Sequence, residues 1–119
     1  MKPDEQRIAI AKACGWGDWN MTFQKIENGK LFVHRNKVSG WVEVPDYLTD
    51  LNAMHDAEKM IADKPLQVLE YYRNLVDLLE RAPDGSHIYG VCMYWETLHA
   101  SAALRAEAFL RTLNLWTNE

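Results

Sequence analysis

The dipeptide Asn28-Gly29, set between two runs of alternating side chains, constrains the folding of this chain more than any other feature. Asn and Gly tolerate positive φ at both centres of a two-residue turn, and turns of that hand match the twist of paired strands. Met21-Thr22-Phe23-Gln24-Lys25-Ile26 therefore reads as a strand and Leu31-Phe32-Val33-His34 as its antiparallel return. Ser39-Gly40 turns the chain again, and Trp41-Val42-Glu43-Val44 alternates as a third strand until Pro45 stops it. Residues 21–44 are a meander.

Outside the meander the period lengthens to that of helices. Residues 4–14 carry acidic residues at the start, apolar Ile8, Ile10, Ala11, Ala13 and Cys14, and Gly15 as a stop. From Asp46, Leu48, Leu51, Met54, Ala57 or Glu58, and Ile61 recur at threes and fours, with Asp50 and Asn52 placed to fix the helix start. A second helix follows Pro65 with Leu66, Leu69, Tyr72, Leu75 or Val76, and Leu79 as its apolar stripe, ending before Pro83-Asp84-Gly85. Residues 87–97 are aromatic and β-branched on both alternating sets, the pattern of a central strand. Ser101 caps a last helix whose stripe runs through Ala102, Ala106, Phe109, Leu110, Leu113 and Trp116, with Glu107 and Arg111 paired outside. The order is α, β, β, β, α, α, β, α. At 119 residues this makes a single domain, 1–119. The class expected is α+β, a three-layer α/β/α sandwich with a small, largely antiparallel sheet.

Charge and motif content narrow the function. Thirteen Lys and Arg against seventeen Asp and Glu leave a formal charge of −4, which speaks against non-specific nucleic-acid binding. No stretch approaches the roughly 18 apolar residues that span a bilayer, and the acidic start lacks a signal-peptide core, so a cytosolic location and no membrane partner are expected. Cys14 and Cys92 lack a CxxC or zinc-ligand context and read as reduced, buried thiols. His55 and Glu58 stand three apart on one helix face, but two ligands without a second such pair do not make a metal site. Neither metal nor cofactor is expected. No GxSxG, P-loop, GxGxxG or HExxH pattern occurs, which leans away from an enzyme.

Three blocks carry a resemblance. Ala13-Cys14-Gly15-Trp16, the run from Pro45 to Lys59 (PDYLTDLNAMHDAEK), and the run from Ala103 to Trp116 (ALRAEAFLRTLNLW) together make up about a third of the chain. In these blocks the sequence resembles the phage ABA sandwich domain family, small proteins encoded by bacteriophages and prophages. The resemblance implies an α/β/α architecture and a phage or prophage accessory protein that acts by binding in the host cytoplasm, for instance as an inhibitor of host defence or of a host factor. It assigns no catalytic residues.

Two groups of residues are candidate binding sites. Residues 24–41 carry a net +3 while the remainder of the chain carries −7. In and beside this basic meander, Trp16, Trp19, His34, Arg35, Lys37 and Trp41 combine rings and cations as nucleotide binders do, so one reading is capture of a nucleotide-like small molecule in a concave site. Residues 43–63 carry −5, an acidic face for docking on a basic host protein. Tyr71, Tyr72, Arg73 and Trp116 are residue types that interfaces favour, for a partner protein or a second copy. A small hydrolase is the third reading, and it requires His34 or His55 to have a carboxylate partner in a cleft.

Overall fold

The computed structural model describes residues 1–16, 20–34, 40–80 and 99–118, with the side chains of 20–23 and 80 outside that description. The elements are α1 (Pro3–Ala13), β1 (Asn20–Glu27), β2 (Lys30–His34), β3 (Trp41–Glu43), α2 (Leu51–Glu58), α3 (Pro65–Glu80) and α4 (Ala102–Thr112). The fold is α+β, with four helices and a three-stranded antiparallel sheet in the order β1-β2-β3 among the described residues. The strand expected over 87–97 lies outside the described residues.

Asn28 and Gly29 take φ of 54° and 76°, so the hairpin closes as their side chains dictate, with Glu27 opposite Lys30. From there Ile26 pairs with Leu31 and Lys25 with Phe32, before an irregularity between Asn20 and Gln24 shifts the register. β2 then pairs with β3 through Phe32–Glu43, Val33–Val42 and His34–Trp41. Because side chains alternate across a strand, this register sends Leu31 and Val33 into the core and Lys25, Phe32, His34, Trp41 and Glu43 to the opposite face.

The helix ends follow their cap residues. Asp50 accepts from the backbone N–H groups of Asn52 and Ala53 to start α2, and the Ser101 hydroxyl accepts from Leu104 N–H to start α4. Gly15, at φ 103°, follows α1. The last helix is shorter than the spacing predicts. It stops at Thr112 because Asn114 adopts φ 58° and the N–H groups of Asn114 and Leu115 turn back to the carbonyls of Arg111 and Leu110.

α4 is the helix around which the others assemble. Ala102, Ala106, Ala108, Phe109 and Leu110 are buried, and α4 packs against α1, α2 and α3. Its alanines let neighbouring backbones come close. Leu31, Val33 and Val44 from the sheet side join Ile10, Met54, Ile61, Leu75 and Phe109 in one cluster. A second link is polar. Arg7 of α1, itself buried, donates through Nη2 to the Val44 carbonyl at 2.6 Å and through Nε to that of Pro45 at 3.3 Å, tying α1 to the exit of β3.

α3 departs from the expected facing. Its buried side chains are Tyr71, Leu75 and Leu79, spaced by four, whereas Leu66, Leu69 and Tyr72 stay in water. α3 carries two apolar stripes, and the neighbouring α4 buries only the one that includes Leu75.

The Asn114 cap makes the first prediction. Asn114→Ala should lose about 1 kcal/mol of stability, since a Cβ without a local hydrogen-bonding group is strained at positive φ, and Asn114→Gly should lose none. Urea unfolding of both variants checks this.

Candidate binding faces and the polar network behind them

The outer side of the sheet gathers rings and a cation. The Lys25 ammonium sits 4.8 Å from the centroid of Trp41 and 5.6 Å from that of Phe32, and it is held there by Glu27 Oε2 at 3.3 Å. His34 meets Trp41 edge-on, with centroids 5.2 Å apart and planes at 81°. Trp41 is 42% exposed. Of the six residues proposed from sequence for a ligand, the structure thus brings together His34 and Trp41. Trp16 is half-buried and leans on the core, and Trp19, Arg35 and Lys37 lie outside the described residues. Lys25 and Phe32 complete the group. Lys25 escaped the sequence reading as a site residue because only the cross-strand register places it beside Trp41.

The second face is the outward stripe of α3. Leu66 is 83% exposed, Leu69 46% and Tyr72 42%, with Arg73 also in water. Tyr71, grouped with them from sequence, faces inward and cannot join a surface patch. Trp116 is half-buried beneath Arg111, whose guanidinium carbon lies 5.1 Å from the ring.

Behind α3 lies a polar network that links α2 to α4. His55 Nδ1 is 2.9 Å from Glu58 Oε1, and Glu58 Oε2 accepts from Arg105 Nη1 at 3.1 Å, so α2 is joined to α4. Arg105 Nε also donates to the Ala100 carbonyl. The pair is largely buried, so both partners are needed to offset desolvation. The Tyr71 hydroxyl sits in the field of Glu58 and Arg105 without reaching hydrogen-bond geometry with either, and the buried Gln67 Oε1 one turn away is likewise unpaired. Burial, and then the Glu58 carboxylate, push the Tyr71 phenol far above its ordinary range. His55 therefore has the carboxylate partner that the hydrolase reading asks for, yet Glu58 already serves Arg105 and none of the three cavities described below includes His55.

The third grouping is a shallow cavity of about 350 Å³ lined by Cys14, Tyr47, Asp50, Asp56 and Met60 among others. Burial raises the Cys14 thiol above its usual range and outweighs the hydrogen bond from Tyr47, which lowers it. Tyr47 is itself pushed up by burial and by Cys14. Cavities of similar size lie beside Ile8, Gln24 and Leu115 and beside Asn74, Arg111 and Asn118. Among the described residues no group of three or more His, Cys, Asp or Glu could hold a metal ion, and no helix is long and apolar enough to cross a membrane.

Comparison with protein-family models, with curated proteins and with solved structures finds no match for this chain.

Two outcomes follow from the buried hydroxyls and the thiol. An unfolded chain releases its tyrosine protons near pH 10, whereas Tyr47 and Tyr71 hold theirs in the fold. Above that pH the unfolded state binds fewer protons, so stability falls as pH rises. The double variant Tyr47→Phe/Tyr71→Phe should flatten this slope between about pH 10 and 11 in urea unfolding. In a Cys92→Ser background, alkylation of Cys14 by iodoacetamide should still be accelerating with pH where a free cysteine has reached its plateau.

Proposed function

We propose that this chain is a phage- or prophage-encoded accessory protein that acts in the host cytoplasm by binding a host protein through the outward stripe of α3. The observation that carries the reading is Leu66, Leu69 and Tyr72 held in water along one helix that already buries a separate stripe. Monomeric proteins seldom leave such a contiguous stripe uncovered unless something docks on it. Tyr and Arg are the residues that anchor interfaces, and Tyr72 and Arg73 lie in this stripe. Residues 43–80 carry nine acidic and three basic side chains, so the partner chemistry that complements this side is an apolar surface bordered by Lys and Arg.

The resemblance to the phage ABA sandwich family supports the source and the style of action. Its blocks fall on the end of α1, on α2 and on α4, the elements that assemble around the buried alanines, while the α3 stripe lies outside them. A shared scaffold carrying a face of its own is what an inhibitor of host defence or of a host factor requires.

The test compares the wild type with Leu66→Glu/Leu69→Glu. Both positions are exposed, so stability should change by no more than about 0.5 kcal/mol. A host protein co-purifying with the wild type from lysate, and then titrated in pure form by calorimetry, should bind the variant at least about tenfold more weakly. Equal affinity would sink the α3 reading. A wild type that instead sediments as a dimer, with the variant monomeric, would show the stripe to be covered by a second copy.

A further inference from the structure

We propose that the outer face of the sheet is a second, separate site that binds a nucleotide, with an amino-bearing base stacked on Trp41 and the phosphate held by Lys25. The argument starts from how that face is built. Alternation along β2 and β3 buries Leu31 and Val33 and leaves Phe32, His34 and Trp41 on the other side, where Trp41 stays 42% exposed. Among the described residues it is the Lys25 ammonium that lies over its ring, on a flexible four-carbon stem and in a solvent-exposed ion pair with Glu27 that holds it only weakly.

That arrangement is exchangeable. A planar base offers Trp41 a full π-face, and stacking of a base on an aromatic ring outweighs a solvent-exposed cation–π contact. The displaced ammonium then carries its charge to the phosphate attached to the same ligand, where the hydrogen bond is charge-assisted on both sides. Lys25 is thus a placeholder for the base and a receptor for the phosphate. His34, edge-on to Trp41, fixes one side of the indole. Glu27 and Glu43 share the face, and their carboxylates suit an exocyclic amino group. Among the described residues of this face Lys25 and Lys30 balance Glu27 and Glu43, so the phosphate is met by the Lys25 ammonium itself rather than by a basic field. The net −4 of the whole chain opposes a long polyanion far more than a small one, which favours a mononucleotide over a nucleic-acid strand.

The site is independent of the α3 stripe. Adenosine 5′-monophosphate is the probe, adenosine the arm without phosphate, and amide and indole N–H spectra of the labelled full chain are the readout. At millimolar nucleotide, the Trp41 indole and the backbone amides of Lys25, Phe32 and His34 should shift, and adenosine should bind about fivefold more weakly. Lys25→Gln should bring the two ligands to equal affinity, Trp41→Leu should abolish both, and Leu66→Glu/Leu69→Glu should change neither. If Trp41→Leu loses its dispersed spectrum, Trp41→Phe replaces it, with affinity reduced several-fold by the smaller ring. No shift of these signals in the wild type, equal affinity for the two ligands before Lys25 is changed, or undiminished binding in the Trp41 variant would each overturn the proposal.

Discussion

The packing of α4 is the constraint on which the rest of this structure depends. A helix that touches α1, α2 and α3 has little circumference left for water, so most of its surface must be apolar or small. Ala102, Ala106, Ala108, Phe109 and Leu110 meet that demand, all five of them buried. Arg105 is the exception, a cation brought into this setting and neutralised by Glu58. A larger residue at any of these buried alanines would have to make its own space in the core, whereas a change at Leu66, Leu69 or Trp41 extends into water.

That difference separates what the sequence revealed from what it did not. Local rules carry the hairpin, because Asn28-Gly29 settles both the turn and the register, and they carry the starts of α2 and α4, because Asp50 and Ser101 are cap residues whose bonds span only two or three positions. The facing of α3 was not legible. Its spacing offers one stripe through Leu66, Leu69 and Tyr72 and another through Tyr71, Leu75 and Leu79, and only the position of α4 decides which is buried. The end of α4 likewise departs from the spacing. Leu113 and Trp116 continue the apolar period, but Asn114 takes the left-handed conformation and closes the helix first.

The candidate sites show the same division. His55 and Glu58 could be paired from sequence because they are three apart on one helix, but Arg105, 47 residues further on, is found only through the contact of α2 with α4. This third partner changes the meaning of the first two. A His–carboxylate pair alone resembles the start of a catalytic relay, while a carboxylate shared with a buried guanidinium is committed to holding two helices together. Lys25 was hidden among ordinary surface lysines until the register set it over Trp41 and Phe32.

Burial is also what distributes chemistry in this molecule. Cys14, Tyr47 and Tyr71 are the described groups whose proton affinities move, and all three move towards the neutral form, with desolvation the largest cause in each case. Such groups are held in place rather than activated, since a thiol or phenol becomes nucleophilic only when its anion is favoured. The side chains that the two proposed binding surfaces present are instead apolar and aromatic groups beside an ammonium: Leu66, Leu69 and Tyr72 on α3, and Trp41 with Lys25 on the sheet. Surfaces of that composition recognise by desolvation, stacking and charge, and they need no proton transfer to do so. The two faces proposed for binding draw on these terms differently, the α3 stripe on burial of apolar surface and the sheet face on stacking at one exposed indole.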